Sequence, residues 1–138
     1  MEMSIERAVW EWLLECPELR ELYFAAGRAG CGGAVLTPVS DRVTCRFLFA
    51  CERQARFELD RFELLAAAPN DGTNLAAAEA ARRVADWIEA RDAEGRLPRL
   101  PCRCRPTAVT VEAVEGPFPE QGQSRVTLKL LLDYLQET

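Results

Sequence analysis

Apolar and polar residues alternate most regularly between positions 42 and 65. Val43, Cys45, Phe47, Phe49 and Cys51 fall on every second residue, with Thr44 and Arg46 between them, which is the period of a strand buried on one face. Ala55, Phe57 and Leu59 repeat the pattern against Arg56, Glu58 and Asp60. Only Glu52, Arg53 and Gln54 separate the two runs, and so short a connection predicts an antiparallel hairpin with both apolar rows facing inward. Parity slips afterwards, because Phe62 and Leu64 are apolar at even positions. The pattern favours a bulge near Asp60 and Arg61 over a strand end followed by a helical turn.

The flanking segments change period. Ile5, Val9, Trp12, Leu13 and Cys16 lie on one helical stripe, with Ser4 as N-cap and Glu6 in the first turn. Pro17 ends or kinks this helix and opens a second short one carrying Leu19, Leu22 and Tyr23. Trp10 and Leu14 fall off the stripe, which a wide buried face explains better than an exposed patch. Gly27, Gly30, Gly32 and Gly33 mark a flexible loop that fits neither a dinucleotide fingerprint nor a Walker loop. Positions 34–39 read as a short edge strand, the one place in a sheet where Pro38 is tolerated.

Pro69-Asn70-Asp71-Gly72 is a cluster of turn formers. The spacing then predicts a helix over 73–94, with Ala77, Ala81, Val84 and Ile88 on the buried stripe, Trp87 beside it and Gly95 as C-cap. Pro98 and Pro101 hold 97–101 as an extended strap. Val109, Val111 and Ala113 form one further strand, and Val126, Leu128, Leu130, Leu132 and Tyr134 another. Positions 115–123, with Gly116, Pro117, Phe118, Pro119 and Gly122, read as the loop joining them. The predicted core brings Phe47, Phe49, Phe57 and Leu59 against Val84 and Ile88.

Composition narrows the function classes. The 138 residues are read as one domain, 1–138, large enough for a core without metal or disulfide support. A formal net charge of −5 argues against gripping a phosphate backbone, so no specific nucleic acid is expected. Apolar windows such as 128–132 fall far short of the ~20 residues that span a bilayer, and no signal peptide is visible, so no membrane partner is expected. Six cysteines are read as small buried apolar residues rather than as a disulfide framework or zinc site; Cys102-Arg103-Cys104 has unusual spacing for structural zinc. The absence of histidine removes the commonest general base at neutral pH.

Helix, edge strand, two long strands, long helix and two long strands describe an α+β domain, in which helices cover a mostly antiparallel sheet of four to five strands. No nucleophile elbow, paired-histidine metal motif or credible acid pair occurs in the chain, so no catalytic, metal or cofactor residue is assigned.

Four further groups of residues carry a family resemblance: Arg53-Gln54-Ala55-Arg56-Phe57 in a strand, Asn74 opening the long helix, Ala85-Asp86-Trp87-Ile88-Glu89 with the following Gly95-Arg96-Leu97-Pro98, and Leu132-Asp133-Tyr134 at the end of the last strand. Their order and spacing over positions 35–136 resemble the small minor capsid and tail-completion proteins of long-tailed bacteriophages and prophages, a group similar to the phage tail terminators. The chain departs from that pattern in having Ala34 and Val35 where the family has an aromatic, and Cys51-Glu52 where it has a Gly before the Arg-Gln pair. The resemblance implies a non-enzymatic structural virion protein with a tail-terminator-like fold and no cofactor. It would be assembled in the bacterial host cytoplasm and placed in the virion tail or neck. Its implied partners are its own copies, in a ring of six, together with tail-tube and head-tail connector proteins. Gly116, Pro117, Phe118 and Pro119 are the candidate subunit or tail-tube interface, because Phe118 is an aromatic on a stiff segment. A head completion or connector protein, a bacterial adaptor with this fold, and a metal or redox protein using Cys102, Cys104 and two of Cys16, Cys31, Cys45 and Cys51 are the competing readings.

Overall fold

The computed structural model describes residues 4–20, 33–64, 73–101, 103–120 and 123–137. The first helix, α1 (Ile5–Leu13), is capped by Ser4, whose hydroxyl accepts the Arg7 amide at 3.1 Å. A further helical turn opens at Pro17 and continues through 17–20. Strands β1 (Gly33–Arg46) and β2 (Ala50–Leu64) form the first hairpin, α2 (Thr73–Ala93) follows, and β3 (Cys104–Glu120) and β4 (Gln123–Glu137) form the second. All neighbours are antiparallel in the order β1-β2-β4-β3. Strands β2 and β3 therefore run parallel with β4 between them, a connection that no tight turn can make and that α2 supplies.

The core lies on one face of this sheet. Phe57 and Leu59 pair with Leu130 and Leu128, and with Val109, Val126 and Leu132 they pack against Ala77, Ala81, Val84 and Ile88 of α2. Small alanines let α2 lie close to the strands, and α1 adds Val9, Trp12 and Leu13 beside it. The Trp12 indole N–H donates to the Arg96 carbonyl at 2.9 Å, while its ring meets Trp87 with centroids 5.1 Å apart. Gly95, at φ +74°, ends α2, and the Arg96 amide returns to the Arg91 carbonyl at 2.9 Å. Asp92 then accepts the Val109 amide at 3.0 Å, tying the helix end to β3.

Four strands form the sheet among the described residues, and several predicted boundaries are corrected. The edge strand at 34–39 and the strand around Val43 are one element, β1, with register irregularities between Pro38 and Ser40 and between Val43 and Cys45. The hairpin turns at Phe47, Leu48 and Phe49, not at Glu52, Arg53 and Gln54, which lie inside β2. Phe47 and Phe49 are consequently exposed, as is Cys45, and only Phe57 and Leu59 of the four expected residues join Val84 and Ile88. No bulge occurs at Asp60 and Arg61: β2 pairs with β4 in unbroken register from 50 to 64, and Arg61, buried, faces the core side 3.9 Å from Glu18. Positions 115–120 are strand rather than loop, paired with β4 across an irregularity between Glu115 and Phe118. The predicted helical residues Leu22 and Tyr23, the glycine-rich loop up to Gly32, the turn at 69–72, Cys31 and Cys102 lie outside the described residues.

Candidate assembly interface

The far face of the sheet is a ladder of polar pairs, since both described helices pack on the other side. Arg56 grips Glu112 through two guanidinium nitrogens at 3.1 and 3.5 Å, and Gln54 donates to Asp133 at 3.0 Å. Lys129 stands 3.1 Å from Glu115, whose carboxylate holds the ammonium pKa above its ordinary value. Arg125 bridges Asp60, at 3.5 Å, and the Thr127 hydroxyl, at 3.1 Å. These pairs join opposite charges diagonally, and in the case of Arg56 and Glu112 across the intervening β4, so the face is neutralised locally.

The predicted interface residues stand at one end of this face. Phe118 pairs with Arg125, which pairs with Phe62, which pairs with Gly33, so one row crosses all four strands. Phe118 therefore has strand neighbours, contrary to the loop reading, and the Arg125 guanidinium sits 5.4 Å from its ring centre. It still leaves 43% of its surface exposed. Gly116 has φ +107°, and a Cβ added there would lie 2.7 Å from the Arg125 carbonyl oxygen, so the close approach of β3 to β4 requires glycine. Pro117 is half-buried and Pro119 exposed on the same segment.

At the opposite end, β1, β2 and β4 are locked by a polar network that pattern reading missed. Asp41 accepts from the Tyr134 hydroxyl at 2.6 Å and from Arg53 at 3.0 Å, and Arg53 also reaches Gln136 at 3.3 Å. Burial first, then the hydrogen bond to Asp41, pushes the Tyr134 phenol well above its ordinary pKa. Asp41 stands opposite Ala55 and reaches Arg53 diagonally, two residues along β2, so only the register of the hairpin could have revealed the pair.

Beyond this network projects the hairpin tip. Phe47, Leu48 and Phe49 are 54%, 85% and 73% exposed, three successive large apolar residues at the surface. Sequence reasoning placed two of them in the core and so missed the most conspicuous surface feature of the molecule.

Among the described cysteines, Cys51 and Cys104 come nearest in register without meeting. Cys51 and Cys104 both stand opposite Gln136, one on each side of β4, so about two strand spacings of ~4.8 Å separate them, beyond the reach of a disulfide. Cys16, Cys45 and Cys51 are free thiols, and burial raises the pKa of Cys16. Among the described residues no group of three or more His, Cys, Asp or Glu side chains is placed to hold a metal ion.

No protein-family model matches the chain, and no curated protein matches it. Among solved structures, a chain from the virion of a native gene transfer agent particle is similar at 17% sequence identity and a TM-score of 0.67. The superposition covers 96% of this chain and 95% of that one, so the likeness takes in nearly the full length of both and shows that this chain has the α+β fold of that virion chain.

Proposed function

We propose that the protein is a structural, non-enzymatic component of a phage-type virion, specifically a tail terminator or minor capsid protein that caps the tail tube and helps join tail to head. The observation that carries this reading is the whole-length likeness of its fold to a chain of the gene transfer agent virion. The protein acts by assembling with copies of itself in a ring of six and by binding tail-tube and head-tail connector proteins. Gly116, Pro117, Phe118 and Pro119 contribute to those contacts, as an exposed aromatic on a segment stiffened by two prolines. Surfaces of this kind need shape and apolar anchors and no reacting group.

Deletion of the coding sequence from the host genome tests the proposal. The expected result is separated heads and tails in the electron microscope, restored to joined particles by the intact chain supplied in trans, with the chain recovered from purified particles near the neck. Normal particles from the deletion strain, lacking the chain, would overturn it.

A further inference from the structure

The two edges of the sheet, β1 and β3, are closed to further pairing over different lengths. On β3, Pro106 near one end and Pro117 and Pro119 near the other have no amide to donate, and the Val109 amide is already given to the Asp92 carboxylate at 3.0 Å. Positions 111–116 lie between these devices, interrupted by the irregularity between Val111 and Ala113. They hold the exposed Val114, and they carry Glu112 and Glu115 on the far face of the sheet. Each glutamate binds one cation of its own chain at a part-exposed site and keeps acceptor capacity for a second. On β1 the corresponding stretch is 39–46, beyond Pro38, with the exposed Val39 and a second irregularity between Val43 and Cys45. Arg42, opposite Gln54, makes no ion pair among the described residues. Exposed large apolar side chains occur on both of these edge strands and, among the described residues, on neither β2 nor β4. Three antiparallel steps separate β1 from β3, so the two edges run in opposite directions. A second copy set beside the first, with its helices on the same side, therefore brings its β1 antiparallel to the first copy's β3.

We infer that positions 111–116 of one copy pair antiparallel with positions 39–46 of a second copy of this chain, so that one sheet continues from copy to copy. Charge selects unlike edges: pairing β1 with β1 sets Arg42 against Arg42, and pairing β3 with β3 sets the glutamates against one another, whereas β3 against β1 brings Arg42 toward Glu112 and Glu115. The stagger is that of a closing sheet. Ala113 and Val114 stand on the rows of Thr37 and Leu36. The middle of 39–46 lies about five rungs further along β1 once the irregularity at Pro38 is discounted, or ~16 Å at the rise of a strand, against ~19 Å for the width of four strands. That ratio tilts the strands by about 40°, inside the ~35–45° at which sheets close into barrels. Each copy offers one edge of each kind, so the contact is heterologous, and closure leaves no free edge. The inference rests on the self-assembly in the proposed function and supplies its contact.

A charge exchange between the edges tests it. In sedimentation velocity on the intact chain, Arg42→Glu and Glu115→Arg are each expected to weaken self-association by at least about 10-fold, because each sets like charges across the contact. The chain carrying both substitutions restores opposite charges and is expected to associate nearly as the parent does. Both sites are exposed, so the melting curves of the isolated variants should stay close to the parental one. Independently of these variants, a photoreactive phenylalanine analogue at position 114 is expected to cross-link to a peptide from 39–46, and mixing unlabelled with ¹⁵N-labelled chains shows whether the link joins two copies. Links from 114 to 111–116 of another copy would mean that like edges meet, and they would overturn the inference. Links to any other surface, a double variant as weak as the single ones, or a wild-type chain that stays monomeric and unlinked at its highest soluble concentration would do the same. Virion incorporation is scored separately by the deletion experiment, so a failure of this contact is distinguishable from a failure of the virion role.

Discussion

At the scale of single residues, burial separates side chains that the alternating pattern makes equivalent. Phe57 is 3% exposed and Leu48 is 85% exposed, although both lie in the same apolar stretch. Phe57→Ala removes most of a ring from a packed core, and a denaturant titration should show a loss of about 3–5 kcal/mol. Leu48→Ser removes a side chain that water already surrounds, and the same titration should register a change within about 0.5 kcal/mol. A large loss at position 48 would show that the tip packs on its own domain. Phe57, Leu59, Val84 and Ile88 were legible in the sequence because a real strand and a real helix carry them. Phe47 and Phe49 were misread because the odd-numbered apolar series runs unbroken from Val43 to Cys51 through the turn. No Gly, Pro, Asn or Asp at 47–49 announced that the chain reverses there. The bulge at Asp60 and Arg61 was inferred from apolar Phe62 and Leu64 at even positions, whereas the strand runs on in register and the buried Arg61 keeps its inward place 3.9 Å from the half-buried Glu18.

At the scale of elements, the helices and the last strand were legible from period and caps alone, while strand ends depended on contacts between strands. The network of Asp41, Arg53 and Tyr134 fastens β1 and β4 to β2, and it makes stability depend on pH. Burial raises the pKa of the Tyr134 phenol in the folded protein above its ordinary value of about 10. Its contribution is therefore full below about pH 10 and is lost as pH rises from there toward the folded value, because the unfolded chain releases the proton first. Tyr134→Phe should cost about 1–2 kcal/mol at pH 7 and flatten the decline above about pH 10 relative to the parent. Lys129, whose pKa Glu115 also raises, is present in both proteins, so the difference between the two curves isolates the tyrosine. Equal slopes would remove Tyr134 from the pH response. The second hairpin is fastened differently, by close approach at Gly116. Gly116→Ala meets the Arg125 carbonyl and keeps a left-handed φ, so a loss of about 1–3 kcal/mol is expected, measured by denaturant titration. Proline and glycine at 116–119 read as a loop because such residues are rare in ladders; here they sit in an edge strand beside and within an irregularity, a place where a sheet tolerates residues without an amide donor.

At the scale of the whole molecule, the sheet has two unlike ends, with Phe118 at one and the apolar tip at the other. The sequence made the layered α+β class legible, since class follows from element order. Which end carries which surface follows only from the register that sets Gly33, Phe62, Arg125 and Phe118 in one row. That row decides how Phe118→Ser should behave. The ring is part-exposed on an edge strand, and its described contact is the Arg125 guanidinium above it, worth about 0.5–1 kcal/mol at an exposed site. For a domain of this size that corresponds to a fall of roughly 2–6 °C in melting midpoint, small beside the loss from Phe57→Ala. Arg125 keeps Asp60 and Thr127 in the variant, so the sheet end stays in place while the exposed ring is gone. If Phe118 lies against a neighbouring subunit or the tail tube, phage lysates of the variant should contain fewer joined tails in the electron microscope, with nearly parental melting of the isolated chain. A fall well beyond this range would place the ring in the stability of its own domain, and normal particles with normal melting would remove it from the assembly surface.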